Sequence, residues 1–365
     1  MKVLLVTRHF ISNFGSFLQT YASVKAINRC GYECDVLDFF ERKERSIFSS
    51  KIWARNYKKN FILEIGYFLV CSLPNCFTEY RYHIMRKKYL PLTVRFSNKN
   101  QLIQLENYDI YISGSDQLWG RICDSPINSV YFLDFIGDNK FCFSYASSFG
   151  DINYSYEKKY AELLKKYHCI SVREKTAKIF LNKLNINSEI VVDPTLLFDK
   201  EFYENFIGKR IINKKYILVY QLHNSSAIEI AKRISKERNF EIIRISSNLS
   251  HRFKNMSSFF YTSNPFKFLN LIKNAEYVVT DSFHATVFSI IFHKEFITKS
   301  PGKTSSRISD LLNEYNLIDR YITKNNYKLP SDNVDWLQID ELVNISREKS
   351  WDFLKKSLGE VKHGK

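Results

Sequence analysis

Val278-Val279-Thr280-Asp281-Ser282-Phe283-His284-Ala285-Thr286-Val287-Phe288-Ser289-Ile290-Ile291 reads as a buried strand, a polar elbow and an apolar helix. The apolar run stops at Asp, Ser and His and then resumes at helical spacing. Polar side chains therefore gather where the backbone N–H groups of a new helix point outward. In α/β proteins that junction is where ligands bind. His284 is the one histidine of eight set at such an elbow, between a carboxylate and an apolar helix. An imidazole there suits proton transfer, with Asp281 placed to hold its tautomer and Ser282 beside it.

The chain on either side alternates in the same way. Residues 2–7, a helix over 15–29 and a strand over 33–39 make a βαβ opening. A basic, helix-rich insertion at about 41–100 interrupts it, and strand-like runs return at 108–113, 141–146, 169–173 and 189–193. Pro194 halts the last of these, and the mixed, charged segment to Lys215 marks a boundary. A second series follows, with strands at 216–221, 240–245 and 277–280 and helices near 225–237, 265–273 and after His284. The expected fold is α/β, with two Rossmann-like domains, 1–205 and 206–340, facing across a cleft. A helical pattern over 341–365 carries Leu342, Val343, Ile345 and Trp351 and is placed to pack back on the N-terminal domain.

Composition narrows the partners. A formal charge of +16 favours anions, whether phosphorylated substrates, nucleic acid or an anionic bilayer. Zinc spacings, an RNA-recognition signature and a basic tail are all missing from the sequence, so nucleic acid is not an expected partner. Seven cysteines without a Cys-x-x-Cys pair point to a reduced, cytoplasmic chain, and the short apolar start reads as a strand rather than a signal peptide. Residues 61–73 are apolar for too short a stretch to cross a membrane. With basic residues on both sides they suit either a core helix or a surface helix resting on an anionic membrane face.

Three further turns gather polar groups. In Ser12-Asn13-Phe14-Gly15-Ser16, Asn13 or Ser12 caps a helix, while Gly15 lets a ligand approach N–H groups that attract a phosphate or carboxylate. Ser113-Gly114-Ser115-Asp116-Gln117-Leu118-Trp119 sets Ser115, Asp116 and Gln117 at a strand end. There Asp116 can act as a general base or orient a sugar hydroxyl, with Trp119 as a platform for a sugar face. Arg173, in Ser171-Val172-Arg173-Glu174, stands at a helix start where a guanidinium needs an anionic partner, a ligand or Glu174 itself. Gly302-Lys303-Thr304-Ser305-Ser306-Arg307 is a basic loop able to close over a phosphate through Lys303, Ser306 and Arg307. No metal-ligand spacing recurs, and neither the dinucleotide-binding glycine pattern nor the P-loop is present in the sequence.

Five of these stations, in order, resemble the polysaccharide pyruvyl transferase family over about residues 1–320. They are Asn13-Phe14-Gly15-Ser16-Phe17-Leu18-Gln19-Thr20-Tyr21-Ala22, Gly114-Ser115-Asp116-Gln117-Leu118-Trp119, Ser171-Val172-Arg173-Glu174, Val192-Asp193-Pro194-Thr195-Leu196-Leu197 and Thr280-Asp281-Ser282-Phe283-His284-Ala285. The resemblance implies a fold like the GT-B glycosyltransferases and transfer of pyruvate from phosphoenolpyruvate, as a ketal, to a sugar. The acceptor is expected to be a lipid-linked precursor of a bacterial capsule or O-antigen, met at the cytoplasmic membrane, with no cofactor or metal. It also implies His284 as proton donor, Arg173 as the grip on the donor, and Asp116 as the group that positions or deprotonates the acceptor hydroxyl. Two positions depart from the family pattern: Ser282 stands where an Arg is expected, and Ala285 where Gly is common. Arg307, Lys303 or Arg8 would then supply the missing positive charge. The alternative on the same scaffold is a metal-independent glycosyltransferase or another sugar-modifying transferase, and beyond enzymes, a glycan- or anion-binding protein.

Overall fold

The structure, a computed structural model, describes residues 1–40, 65–66, 69, 72–120, 127–150, 152–223, 226–253, 258–302, 306–323, 329–330 and 334–363. Two parallel sheets carry the chain. The first consists of β1 (Lys2–Val6), β2 (Glu33–Val36), β3 (Ile110–Ser113), β4 (Asp116–Gln117), β5 (Phe141–Ser148), β6 (Cys169–Val172) and β7 (Glu189–Ile190). Its order is β2-β1-β3-β5-β6-β7, with β4 paired to the end of β5. Helices α1 (Phe14–Arg29), α2 (Leu73–Tyr89), α3 (Glu157–Leu164) and α4 (Lys175–Lys183) accompany it, and α5 (Lys200–Ile207) leads towards the second half.

The second sheet holds β8 (Tyr216–Tyr220), β9 (Glu241–Ser246), β10 (Ser258–Tyr261), β11 (Tyr277–Thr280), β12 (Glu295–Lys299) and β13 (Tyr321–Ile322). Its order is β10-β9-β8-β11-β12-β13, with α6 (Ala227–Arg238), α7 (Pro265–Lys273), α8 (Phe283–Ile291) and α9 (Ser306–Glu314) on its faces. Among the described residues every strand pair is parallel, which explains why the strands read as unbroken apolar runs: both faces are covered by helices. Ile110, Tyr111 and Ile112 of β3 and Ile217 and Leu218 of β8 are fully buried.

The strand orders fix where a ligand can sit. In the first sheet the order reverses between β1 and β3, and in the second between β8 and β11. At such a switch point adjacent loops diverge and leave a crevice beyond the strands' carboxyl ends. The crevices are formed by Thr7–Asn13 and Gly114–Ser115 in one half, and by Gln221–His223 and Asp281–Ser282 in the other.

Helix α1 joins the halves. The Phe14 ring stacks on Phe268 of α7 with centroids 4.6 Å apart and lies 5.5 Å from Tyr220 of β8. The last helix, α10 (Trp336–His363), stacks Trp336 on His293 of the second half and then crosses to the first. There Ser350 Oγ accepts from Val192 N at 2.9 Å, Trp351 Nε1 donates to Leu197 O at 3.1 Å, and the Leu358 carbonyl accepts from Tyr32 Oη at 2.8 Å. Among the described residues no helix is long and apolar enough to cross a membrane.

Candidate active site

The two switch points meet at His284. Ser282 is the N-cap of α8, its hydroxyl accepting from Ala285 N at 3.4 Å, and this cap turns the next residues away from the sheet. The His284 ring then lies directly against the backbone of Gly15 at the start of α1. A Cβ at Gly15 would stand 2.1 Å from His284 Nδ1, so only glycine permits this approach of the two helices. On its other side, His284 Nε2 lies 3.7 Å from Asp193 Oδ2.

Asp193 follows β7, and its oxygens serve several groups. Oδ2 accepts from Arg173 Nη1 at 2.6 Å and from Ser115 Oγ at 3.0 Å, while Oδ1 accepts from the Thr195 hydroxyl and N–H. Burial alone would raise its pKa; the His284 imidazole, the Arg173 guanidinium and the Thr195 hydroxyl outweigh burial and hold the carboxyl well below the usual carboxylate range. Asp193 is therefore a fixed negative charge that orients Arg173 and faces His284.

Arg173 is buried and sits among three carboxylates. Besides Asp193, Asp116 Oδ1 is 3.8 Å from its Nη2 and Glu174 Oε2 is 3.8 Å from its Nε. Its Cζ lies 4.8 Å from the Phe283 ring centroid, and the Arg307 Cζ of α9 lies 5.9 Å from the same centroid. Arg173 Nε and Nη2 and His284 Nε2 are all buried and make no hydrogen bond. Each of the three faces a carboxylate oxygen of Glu174, Asp116 or Asp193 at 3.7–3.8 Å, too far for a hydrogen bond, so these donors keep capacity that a closer acceptor would fill.

Asp116 is held at φ 91°, in the left-handed region that a β-carbon disfavours. Its Oδ2 accepts from Ser16 Oγ at 2.8 Å and its Oδ1 from Gln117 N at 2.8 Å. Burial works to raise its pKa, but Arg173, His284 and Arg8 prevail and lower it. Glu174 shows the opposite balance: burial keeps its pKa raised against Arg173, Arg307, the Ser148 hydroxyl and the Phe149 N–H.

The family's sequence model, described as polysaccharide pyruvyl transferase, matches residues 13–303. The chain belongs to that family. No curated protein sequence matches it. Solved structures are similar at low identity. A UDP-N-acetylglucosamine 2-epimerase from Rickettsia bellii aligns at 10% identity and a TM-score of 0.52, covering 100% of this chain and 97% of that one. A UDP-GlcNAc 2-epimerase from Neisseria meningitidis bound to UDP-GlcNAc aligns at 10% identity and a TM-score of 0.48, covering 99% of this chain and 100% of that one. At such identities the likeness to the Rickettsia enzyme is one of fold: two Rossmann-like halves in tandem.

Within this family member the structure gathers Gly15, Ser115, Asp116, Arg173 and His284 around Asp193, which the sequence placed in a family motif and at a strand end before Pro194 but gave no role in the site. Several roles expected from sequence change. Asn13 does cap α1, but its Oδ1 accepts from Gly15 N at 2.7 Å and Ser16 N at 3.3 Å, so those N–H groups are not available to a phosphate. Gly15 is required by the His284 ring rather than by a ligand. Asp281 does not touch His284: its oxygens accept from Leu222 N at 2.7 Å and His223 N at 3.0 Å, tying the β8 loop to the elbow. Ser115 is fully buried inside the Arg173–Asp193 network. The Gln117 side chain packs against Gly150. Trp119 is no platform, because its ring is buried in the core, stacked on Phe132, with Nε1 donating to Ser113 Oγ. Asp116 is ill suited to accept a proton at neutral pH, since its pKa is lowered rather than raised. Ser306 opens α9 with its carbonyl accepting from Ser309 Oγ, and Lys303 lies outside the described residues. Among the described residues no group of three or more His, Cys, Asp or Glu is placed to hold a metal ion.

Proposed function

We propose that this family member transfers the pyruvyl unit of phosphoenolpyruvate to two hydroxyls of a polysaccharide sugar or its lipid-linked precursor, forming a ketal. The observation that carries this reading is that Arg173 Nε, Arg173 Nη2 and His284 Nε2, at the meeting of the two halves, are buried without a hydrogen bond, in a chain of this family. A carboxylate and a phosphate on one small molecule supply the acceptor oxygens those donors lack. Arg307, beside Phe283, adds a cation from the second half.

The chemistry balances without a cofactor. A proton reaches the methylene carbon while a sugar oxygen attacks C2. The first hydroxyl's proton restores the one given to the methylene carbon by the proton donor, and phosphate leaves as the second hydroxyl closes the ketal, carrying away the second hydroxyl's proton. His284 is the proton donor in this scheme, its Nε2 facing Asp193 Oδ2 at 3.7 Å. Asp116, ionised and fixed by Ser16, positions an acceptor hydroxyl rather than deprotonating it. In place of Trp119, the half-buried pair Phe10 and Phe40 stacks with centroids 5.6 Å apart beyond β1 and β2, with Arg8 over Phe10 and Arg95 over Phe40. An acceptor sugar with an anionic group fits against that face.

Purified protein incubated with phosphoenolpyruvate and lipid-linked or cell-derived glycans should release one phosphate per pyruvate added to the glycan mass, and His284→Ala should abolish both. Absence of product with every acceptor would sink the reading. The three carboxylates around Arg173 and the neutral Ser282 favour a second reading, a metal-independent sugar-modifying transferase on this scaffold. Stabilisation by a nucleotide sugar but not by phosphoenolpyruvate would select it.

A further inference from the structure

Helix α2 is amphipathic in reverse. Its buried face carries Thr78, Tyr82 and Arg86, two of them strongly polar. The Thr78 hydroxyl donates to Ser247 O at 2.7 Å, and Arg86 Nη1 donates to Phe10 O at 2.7 Å in the turn after β1. The opposite face carries Leu73, Phe77, Tyr80 and Ile84. At 100° per residue these fall within one narrow stripe, and Ile65 and Leu69 of the helical residues just upstream continue it. All six side chains are between 44% and 62% exposed. A helix at the surface of a soluble protein buries its apolar stripe; here the apolar stripe faces out and the polar one faces in.

Charge identifies what covers it. Residues 41–100 hold thirteen Lys and Arg against four Glu, more than half of the chain's net charge of +16 in a sixth of its length. Within α2 itself, Arg81, Lys87 and Lys88 flank the stripe, and the two lysines are exposed. A second copy of this chain would bring like charges face to face across a two-fold interface. A bilayer rich in anionic lipid accepts the apolar side chains among its acyl chains and the cations among its head groups.

We propose that the stripe Ile65, Leu69, Leu73, Phe77, Tyr80 and Ile84, with Lys87 and Lys88 beside it, docks the protein on an anionic membrane surface. The consequence for the site is geometric. Arg86 ties the inner face of α2 to the β1 turn, so the membrane-facing stripe lies about one helix diameter, roughly 10–12 Å, from the mouth of the first crevice. A substrate whose reactive end is anchored in the same bilayer is then presented to the crevice in two dimensions.

The test is co-sedimentation of the full chain with vesicles of phosphatidylcholine alone and of phosphatidylcholine and phosphatidylglycerol in equal parts. The wild type is expected in the pellet only with the anionic vesicles, and to be released at about 1 M salt, where the Debye length falls to about 3 Å. A triple variant with Leu73→Ser, Phe77→Ser and Ile84→Ser should weaken binding by at least ~10-fold. Lys87→Glu with Lys88→Glu should do the same while leaving the apolar stripe intact. Circular dichroism and thermal melting of both variants guard against misfolding, since every substituted side chain is exposed. Equal binding of wild type and triple variant overturns the proposal. So does a wild-type dimer that binds no vesicle and that the triple variant dissociates, which would make the stripe a contact between copies. Vesicle binding is read without turnover, so its failure leaves the pyruvyl-transfer reading standing, and the failure of that reading leaves this one.

Discussion

At Gly15 a methyl group has no room, because its position falls 2.1 Å from His284 Nδ1 and 2.5 Å from Cγ. Gly15→Ala must push α1 from α8 or rotate the imidazole, and a misplacement of about 1 Å at a reacting group costs on the order of 100-fold in rate. The variant is expected to keep its fold by circular dichroism and to lose about that factor in kcat/KM; unchanged kinetics would remove His284 from the reaction. Asp193 gives a second residue-scale prediction. Its folded pKa is depressed below the ordinary 3.8, so the stability it contributes is present above that value and is lost as pH falls through the folded pKa. Asp116 adds in the same direction, whereas Glu174, with its pKa raised above 4.5, contributes stability below 4.5 that is lost as pH rises through its folded pKa. Asp193→Asn leaves Arg173 buried with only more distant carboxylates and should cost roughly 3–5 kcal/mol in urea unfolding at neutral pH. It should also flatten the acid limb of the stability profile, and an acid limb identical to wild type would show that other carboxylates govern it.

Helix α4 shows how an element of one half is completed by the other. Glu174 occupies its N-cap position but turns its carboxylate to Ser148 and Phe149, making no cap bond. The orphaned N–H of Lys175 is instead met by Asp310 Oδ2 of α9, at 3.1 Å across the cleft. Asp310→Ala removes that cap, and a loss of about 1 kcal/mol is expected, with Asp310→Asn close to wild type because an amide oxygen also accepts. Equal stability of the two variants would mean that water replaces the cap without cost. Sequence could not show such a cap, since its partners lie 135 positions apart. The strands flanking the site were legible because parallel central strands are apolar along their whole length: β1, β3, β8 and β11 all appear within the runs that announced them. β10, β12 and β13 were not, since β12 begins with Glu295 and ends with Lys299, β13 spans only two residues, and β10 lies at a sheet edge. The role of Asp193, though its motif carried part of the family resemblance, was missed for a related reason. Read locally it is a carboxylate before a helix-starting proline, and only the pairing of β6 with β7 brings it beside Arg173.

Over the whole molecule, the candidate site exists only because two Rossmann-like halves set their switch points against each other. His284, Phe283 and Arg307 come from one, and Arg173, Asp193, Asp116 and Gly15 from the other. The elbow from Thr280 to Ala285 could be read as a ligand site from sequence alone, but which residues complete it depends on packing between distant segments, His284 lying 91 positions from Asp193 and 269 from Gly15. A ligand bridging such a cleft stabilises both halves together. At about 100 times its Kd it contributes about 2.7 kcal/mol to the folded state, a rise of roughly 3–4 °C in Tm for a chain of this size. Phosphoenolpyruvate is therefore expected to raise Tm by that order in a single transition. Arg307→Ala, which removes a cation from the second half only, should shrink the rise without lowering the Tm of the unliganded protein by a comparable amount. Inorganic phosphate, lacking the carboxylate, should stabilise less than phosphoenolpyruvate at equal concentration. If phosphate and phosphoenolpyruvate are equivalent, the crevice recognises a phosphoryl group alone, and the reading of phosphoenolpyruvate as donor falls.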